Sequence, residues 1–157
     1  MVSLHVAKAE RVLVAVRAGE MIFRARIALG FEPVGHKARE GDGHTPEGEY
    51  FVCTRNENSK YHLSLGLSYP NLCDAQRGLA AGVIDAATCA RIAEAIESGR
   101  RPPWDTALGG YIMIHGGGVA GDWTAGCVAL RDEDMEALWA LCPLGTRVRI
   151  EATGAGP

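Results

Sequence analysis

Two side chains that can perform nucleophilic chemistry lie in one glycine-rich stretch, IHGGGVAGDWTAGCVAL, at residues 114–130. His115 ends a short apolar run, and Cys127 follows it by twelve residues, just before another apolar run. A glycine-rich loop that leaves one strand and re-enters beside it can bring its two ends together. A neighbouring histidine favours the thiolate, which is the nucleophilic form, and can return a proton to a leaving group. The spacing therefore predicts a Cys–His pair for covalent catalysis.

The glycines of this stretch are predicted to serve the same chemistry. Attack on a carbonyl creates an oxyanion, which backbone N–H groups can stabilise. Gly126 lets the main chain approach a substrate, so we expect the Cys127 amide and its neighbours to form an oxyanion hole. Gly116 and the glycines after it can turn a carbonyl toward the imidazole of His115, in place of the acidic residue of other triads.

Further residues are candidates for substrate contacts. His62 lies on the small, polar face of an alternating segment, YHLSLGLSY, and either lines a cleft or is a half-exposed strand histidine. Trp123 and Tyr111 either contact substrate or pack in the core. Thr124 is a further candidate contact. The other histidines are predicted to be surface or loop residues: His5, His36 and His44.

The five cysteines argue against a disulfide framework or a zinc site, because their number is odd and no Cys-x-x-Cys is present. A metal site near Cys127 would have only two soft ligands in the local sequence, and no cofactor is predicted. A redox or metal-handling protein is nevertheless kept as an alternative. The remaining cysteines are predicted to be small buried residues: Cys53, Cys73, Cys89 and Cys142.

The composition predicts one globular domain over residues 1–157. It is 47% hydrophobic and 22% charged, which is typical of soluble proteins and of neither a disordered chain nor a membrane protein. The net charge is -3 and the basic residues are scattered, so no nucleic-acid partner is expected. Charged residues interrupt the apolar N-terminal residues 1–16, which predicts neither a signal peptide nor a membrane span.

Alternation and turn signals predict the elements that position the Cys–His pair. The segment 30–48, rich in glycine and proline, is expected to be a long surface loop. Asp85 and Asp132 are predicted to cap helices. The pattern predicts a mostly-β sandwich or barrel-like domain with two short helical insertions. Strands are expected near 11–17, 21–29, 49–54, 61–69, 111–115 and 145–151, and helices near 85–98 and 133–141.

Four segments, in the same order, resemble the L,D-transpeptidase family with its YkuD-type catalytic domain. The third segment carries a His-Gly and then Thr-x-Gly-Cys followed by a hydrophobic residue, which resembles the family signature. Together the segments span most of the chain. They are GDGHTPEGEYFV (41–52), SKYHLSLGLSYPN (59–71), HGGG…DWTAGCVALRDEDMEALW (115–139) and LGTRVRI (144–150).

The resemblance implies a fold and an activity. The fold would be the β-sandwich-like L,D-transpeptidase catalytic domain, with Cys127 as nucleophile, His115 as general base and a carbonyl after His115 as third element. The donor would be a peptidoglycan stem peptide, held as a thioester and passed to an amine. Hydrolysis by an L,D-carboxypeptidase or endopeptidase, and a catalytically silent peptidoglycan-binding module, remain alternatives. Carbapenem-type inhibitors are expected to acylate the cysteine.

Two positions differ from the common family pattern, which has His or Lys before Gly-Cys and Arg two residues after the cysteine. These positions hold Ala125 and Ala129 here. The loop between His115 and Cys127 is also shorter than is usual in the family. Family members are exported, so the resemblance implies the periplasm or cell envelope. Because no signal peptide is visible, a cytoplasmic location for the chain as given stays open.

Overall fold

The computed structural model describes residues 1–154, and these contain eight strands and three helices. The last three residues of the domain predicted over 1–157 lie outside the described residues. In chain order the elements are β1 (Val2–Ala7), β2 (Val12–Arg17), β3 (Glu20–Arg26), β4 (Gly48–Ser59), β5 (His62–Leu67), α1 (Leu72–Ala80), α2 (Ala86–Glu97), β6 (Met113–His115), β7 (Val128–Ala129), α3 (Asp132–Trp139) and β8 (Arg147–Glu151).

All these strands join one hydrogen-bonded sheet in the order β3-β2-β1-β8-β4-β5-β6-β7. The pairs β1–β8 and β6–β7 run parallel, whereas the other neighbours run antiparallel. The two outer strands also approach each other, because Ala28, just after β3, bridges to Ala129 in β7. The sheet therefore curls toward closure, and the predicted mostly-β, barrel-like fold is confirmed.

The period of two that predicted strands also sets the core. Along β1, β2 and β8 every second side chain is buried, and the intervening ones are more exposed. Each buried aliphatic side chain contributes about 1.5–3 kcal/mol relative to an exposed one. The buried members are Leu4, Val6, Leu13, Ala15, Val148 and Ile150.

The predicted strands are present, but several bounds differ and two strands were missed. Strand β4 runs to Ser59, beyond the predicted end at residue 54, because it forms a hairpin with β5 in which Ser59 pairs with His62. Strands β1 and β7 were not predicted. Strand β1 lies between β2 and β8, and its pairing with β8 joins residues more than a hundred positions apart.

The prediction of two helical insertions is wrong, because there are three helices in the described part of the chain. The missed helix, α1, follows Pro70 and begins with a capping box. The Asn71 side chain accepts from the Asp74 N–H, and the Asp74 carboxylate accepts from the Asn71 N–H. Such reciprocal bonds satisfy N–H groups at a helix start.

The two predicted helix caps have different outcomes. Asp85 caps α2 as predicted, and its carboxylate accepts the Thr88 N–H at 2.8 Å. The prediction for Asp132 is wrong, since this residue is the first of α3 and the N-cap is Arg131, which makes no side-chain capping bond. The Asp132 carboxylate instead accepts the N–H of Gly117 at 2.9 Å.

The segment 30–48 is an irregular loop, as predicted, but it is not simply a surface loop. Lys8 of the β1–β2 turn is buried and reaches into it. The ammonium donates to the carbonyls of Gly35 and Thr45 at 2.8 and 2.7 Å, and lies 3.0 Å from the Glu47 carboxylate. These contacts hold the loop against the sheet, where it can support the residues around Cys127.

Candidate active site

Parallel pairing of β6 with β7 brings the two predicted catalytic residues to neighbouring strands. His115 pairs with Ala129 and Ile114 with Val128, so Cys127, just before β7, falls beside Met113. Alternate residues of a strand share one face. Met113 and His115 therefore share a face of β6, next to Cys127 and Ala129. The Met113 N–H donates to the Cys127 Sγ at 3.3 Å, which confirms this placement.

His115 is enclosed by two aromatic rings and is only 3% exposed. Tyr61, from the turn between β4 and β5, stacks on the imidazole with ring centroids 4.6 Å apart. Trp123 presents its edge to the imidazole at 5.7 Å and to Tyr61 at 5.2 Å. Burial lowers the pKa of His115, although its hydrogen bond to Gly116 opposes that shift. The imidazole is therefore neutral at pH 7 and available as a base.

The backbone carbonyl of Gly116 lies 2.5 Å from His115 Nδ1. A carbonyl can only accept, so Nδ1 carries the proton and the lone pair is on Nε2. Three successive amides hold this turn in place. The Gly116 N–H donates to the Tyr61 carbonyl, the Gly117 N–H to Asp132 and the Gly118 N–H to the Leu130 carbonyl, each at 2.9 Å. The predicted role of Gly116, to aim a carbonyl at His115, agrees with this geometry.

The hydrogen bonds of Cys127 Sγ go to the backbone. Besides the Met113 N–H, the sulfur contacts the Tyr111 carbonyl, to which the thiol donates at 3.4 Å. Burial raises the pKa of the Cys127 thiol, whereas the Met113 N–H and the charge of Lys37 oppose this shift. Both shifts favour a neutral thiol beside a neutral imidazole, in contrast to the thiolate expected from the sequence.

Residues 124–127 form a tight turn just before β7, and the Thr124 hydroxyl fixes it. This hydroxyl donates to the Cys127 carbonyl at 2.7 Å and accepts the Gly126 N–H at 3.1 Å. Thr124 is buried and its hydroxyl holds the turn, while its contact with substrate stays a prediction. Gly126 has φ +143°, and a Cβ there would lie 2.9 Å from the His44 carbonyl. Only glycine fits this position without strain.

Trp123 is held over His115 by a hydrogen bond of its own indole and by the contacts of its neighbour Asp122. The indole Nε1 donates to the Gly118 carbonyl at 3.0 Å. The preceding residue, Asp122, accepts two bonds from the Arg11 guanidinium, at 3.0 and 2.8 Å, and one from the Leu29 N–H. The indole remains 39% exposed, so it can cover the imidazole and still meet a ligand.

The other predicted contacts lie at the rim of the site. His62 is partly exposed, and its Nε2 lies 2.9 Å from the Glu136 carboxylate on α3. Tyr111 is 60% exposed, and its ring lies 4.8 Å from that of Trp104. Tyr111 and Trp104 line a pocket of about 470 Å³. The charged residues of its lining are Arg91, Glu94, Arg100, Arg101 and Asp105.

The cysteines are all free thiols, but not all are buried as predicted. Cys142 is buried, Cys53 and Cys89 are partly buried, and Cys73 is exposed at the start of α1. In residues 1–154 no group of three or more His, Cys, Asp or Glu side chains is placed to hold a metal ion. Nor does the described part of the chain contain a helix that is long and apolar enough to cross a membrane.

Sequence reasoning missed three residues that position the base. Tyr61 stacks on His115, Asp132 binds the turn after it, and Arg11 anchors Asp122. Each acts across a long sequence separation, so no local pattern identified it. Only Tyr61 could have been found from the sequence. It begins the alternating segment that forms β5, and β5 pairs with β6, the strand that ends in His115.

Comparison with known proteins assigns the chain to a family. The family model described as YkuD, L,D-transpeptidase catalytic domain, matches residues 2–150. No curated protein sequence matches the chain.

Solved structures show the same fold. The helical cell shape determining protein Pgp2 of Campylobacter jejuni, as a K307A mutant, superposes with a TM-score of 0.69 at 21% identity, over 98% of this chain and 48% of that one. An L,D-transpeptidase of Xylanimonas cellulosilytica gives 0.53 at 19%, over 96% and 60%. The avibactam carbamoyl enzyme of Ldtfm gives 0.58 at 13%, over 99% and 49%. The chain thus spans about half the length of the first of these proteins.

Proposed function

Because the chain belongs to the family of YkuD-type L,D-transpeptidase catalytic domains, we propose that it transfers acyl groups of peptidoglycan stem peptides through a thioester on Cys127. One observation supports this proposal: Cys127 falls beside Met113, on the face of β6 that also carries His115, and the Nδ1 of this histidine bonds a backbone carbonyl. That arrangement leaves Nε2 of His115 as the proton acceptor.

The proposed first step is acylation from a neutral pair. His115 Nε2 takes the thiol proton as the Cys127 sulfur attacks the stem-peptide carbonyl, so no resting thiolate is needed. The tetrahedral intermediate carries a negative oxygen. As it collapses, the carbon–nitrogen bond breaks, and the imidazolium gives its proton to the departing amine. The product is a thioester, and His115 is again neutral.

In the proposed second step an amine attacks the thioester and gives its proton to His115. The carbon–sulfur bond then breaks, the Cys127 sulfur leaves as a thiolate and takes that proton from His115, so a new amide forms and the enzyme is restored. Water in place of the amine would give hydrolysis by the same route. For the oxyanion we propose the Cys127 N–H as a donor, because the Gly126 N–H is already bonded to Thr124. The predicted role of Gly126 then becomes to allow the turn that presents Cys127.

We propose that the stem peptide approaches past Tyr111 and the pocket of about 470 Å³ beside it. Tyr111 joins the two regions, since its carbonyl contacts the Cys127 Sγ and the residue lines the pocket. Stem peptides carry carboxylates, for which the arginines of this pocket are suitable partners. These charges would replace the basic residues of the family pattern at Ala125 and Ala129. His62 and Trp123 remain proposed contacts at the opposite rim.

The proposed substrate places the protein in the cell envelope, where peptidoglycan is found. The test is to incubate the wild-type protein with disaccharide-tetrapeptide and an added amine, and to analyse enzyme and products by mass spectrometry. A thioester adduct on Cys127 and an amine-linked product are expected. Cys127→Ala should form neither, whereas Cys73→Ala should behave as wild type.

Each outcome of this experiment discriminates between functions. Release of the free tripeptide alone would agree with Cys127 as the nucleophile and would show that the protein is a hydrolase. Turnover by Cys127→Ala would eliminate the thioester mechanism. An inert wild-type protein that still binds stem peptide would support a binding module. Addition of a carbapenem, followed by intact mass, checks for acylation independently of the natural substrate.

A further inference from the structure

One peptide unit lies between the imidazole of His115 and a carboxylate. The Gly116 carbonyl lies 2.5 Å from His115 Nδ1, and the N–H of the same peptide, on Gly117, donates to Asp132 Oδ1 at 2.9 Å. In a trans peptide the C=O and N–H point in opposite directions. The imidazole, the peptide and the carboxylate therefore form one hydrogen-bonded series.

The position of Asp132 is fixed by the helix that it begins. Helix α3 is held by Met135 and Leu138, both fully buried in the core. The carboxylate is so close to the turn that a Cβ on Gly116 would lie 2.4 Å from Oδ1. The contact is thus built into the packing of α3 against the turn after β6.

The other acidic groups nearby have different partners. On α3, Asp134 lies 4.0 Å from the Arg131 guanidinium, and Glu136 lies 2.9 Å from His62. Asp122 of the glycine-rich loop pairs with Arg11. Glu133 is exposed beside Asp132 in the first turn of the helix. It therefore offers a matched control with the same charge.

We propose that Asp132 is a positioning residue for His115, acting through the Gly116–Gly117 peptide. It holds the Gly116 carbonyl at Nδ1, which keeps the proton on Nδ1 and the lone pair on Nε2. The inference rests on the proposed function, in which Nε2 accepts the thiol proton of Cys127. Asp132 acts on His115 only through this peptide, whose Gly117 N–H it accepts.

The need for such an anchor follows from the glycines. Gly117 has φ +111°, a backbone conformation that other residue types rarely adopt, and glycines leave the peptide before it free to rotate. If the peptide rotated, Nδ1 would lose its acceptor. A neutral imidazole in water favours the proton on Nε2, and in that form the nitrogen needed as base is already protonated. The carboxylate also polarises the amide, which strengthens the bond from Nδ1 to the carbonyl.

The experiment compares Asp132→Ala, Asp132→Asn and the control Glu133→Ala. The rate of adduct formation with a carbapenem is measured by intact mass. In parallel, ¹⁵N NMR of histidine-labelled protein reports which ring nitrogen of His115 carries the proton, with His115→Gln to assign the signal. Asp132→Ala should slow acylation by about 10- to 100-fold, the worth of a hydrogen bond to a charged group. It should also shift the proton toward Nε2.

Asp132→Asn should be affected less, since its amide oxygen can still accept the Gly117 N–H, and Glu133→Ala should match the wild type in both measurements. Asp132→Asn also serves as the readout if Asp132→Ala does not fold. Wild-type rate and wild-type ring protonation in Asp132→Ala would overturn the inference. Equal slowing by Glu133→Ala would do so too, since it would indicate a role in the helix. Absence of any adduct on the wild type would instead refute the proposed function.

Discussion

His115 and Cys127 lie on neighbouring strands, yet the structure holds them in different ways. The base is enclosed by side chains, chiefly those of the remote Tyr61 and the nearby Trp123. The nucleophile is placed by backbone groups, namely the Met113 N–H, the Tyr111 carbonyl and the turn at Gly126. Substitution of the surrounding side chains should therefore change the pKa of His115, whereas substitutions that alter the backbone should displace the Cys127 sulfur.

The largest effect that tests this comparison should come from removing the base. His115→Gln should slow acylation by a carbapenem by roughly 10²–10⁴, the usual worth of a positioned general base. The fold should persist, which circular dichroism can check. A variant that acylates at the wild-type rate would show that the thiol does not depend on His115.

The backbone of the nucleophile is tested by Gly126→Ala. A Cβ at this position meets the His44 carbonyl, and φ +143° strains any L side chain, so the variant should lose about 1–3 kcal/mol of unfolding free energy. Acylation should fall as well, because Cys127 follows directly. Gly121→Ala is the control, since a Cβ there has nothing within 4 Å. Equal stability of the two variants, measured by urea denaturation, would contradict the special role of Gly126.

The order of thiol labelling tests the neutral resting pair. An activated Cys127 thiolate would react first with a mild electrophile, whereas a buried neutral thiol would not. Cys73 is exposed, whereas burial raises the pKa of the Cys127 thiol. Iodoacetamide at pH 7.5, followed by peptide mapping, should modify Cys73 before Cys127. Cys142 should react last, because burial raises its pKa to about 12. Labelling of Cys127 before Cys73 would show that the Cys127 thiol is an activated thiolate at rest.

The smallest effect should come from opening the aromatic cover of the base. Trp123→Ala admits water to His115, so its pKa should rise from its lowered value toward the ordinary one. The neutral form is the base, so the acidic limb of the rate profile should move to higher pH. Trp123→Phe retains a ring and should move it less. Identical profiles for both variants and the wild type would show that burial by Trp123 does not set this pKa.

The same comparison explains what the sequence could predict. Strand β2 and helix α2 follow from local periodicity and the Asp85 cap, and both are confirmed. Strand β1 was missed because its alternation of buried and exposed residues is short and its partner β8 is remote. The Cys127–His115 pair could be located because its spacing and glycines are local. Asp132 could not be assigned its contact with Gly117, because the local signal of an acidic residue at a helix start equally predicts a cap.

Strand β8 has a consequence for how the protein is made. It is the latest of the described strands to be synthesised, yet it lies between β1 and β4 in the sheet. A chain emerging from the ribosome therefore cannot complete this sheet until residues 147–151 are available: β1 can pair with β2, but its other edge lacks a partner until then. Until then the nascent chain lacks the pairing that joins its two halves.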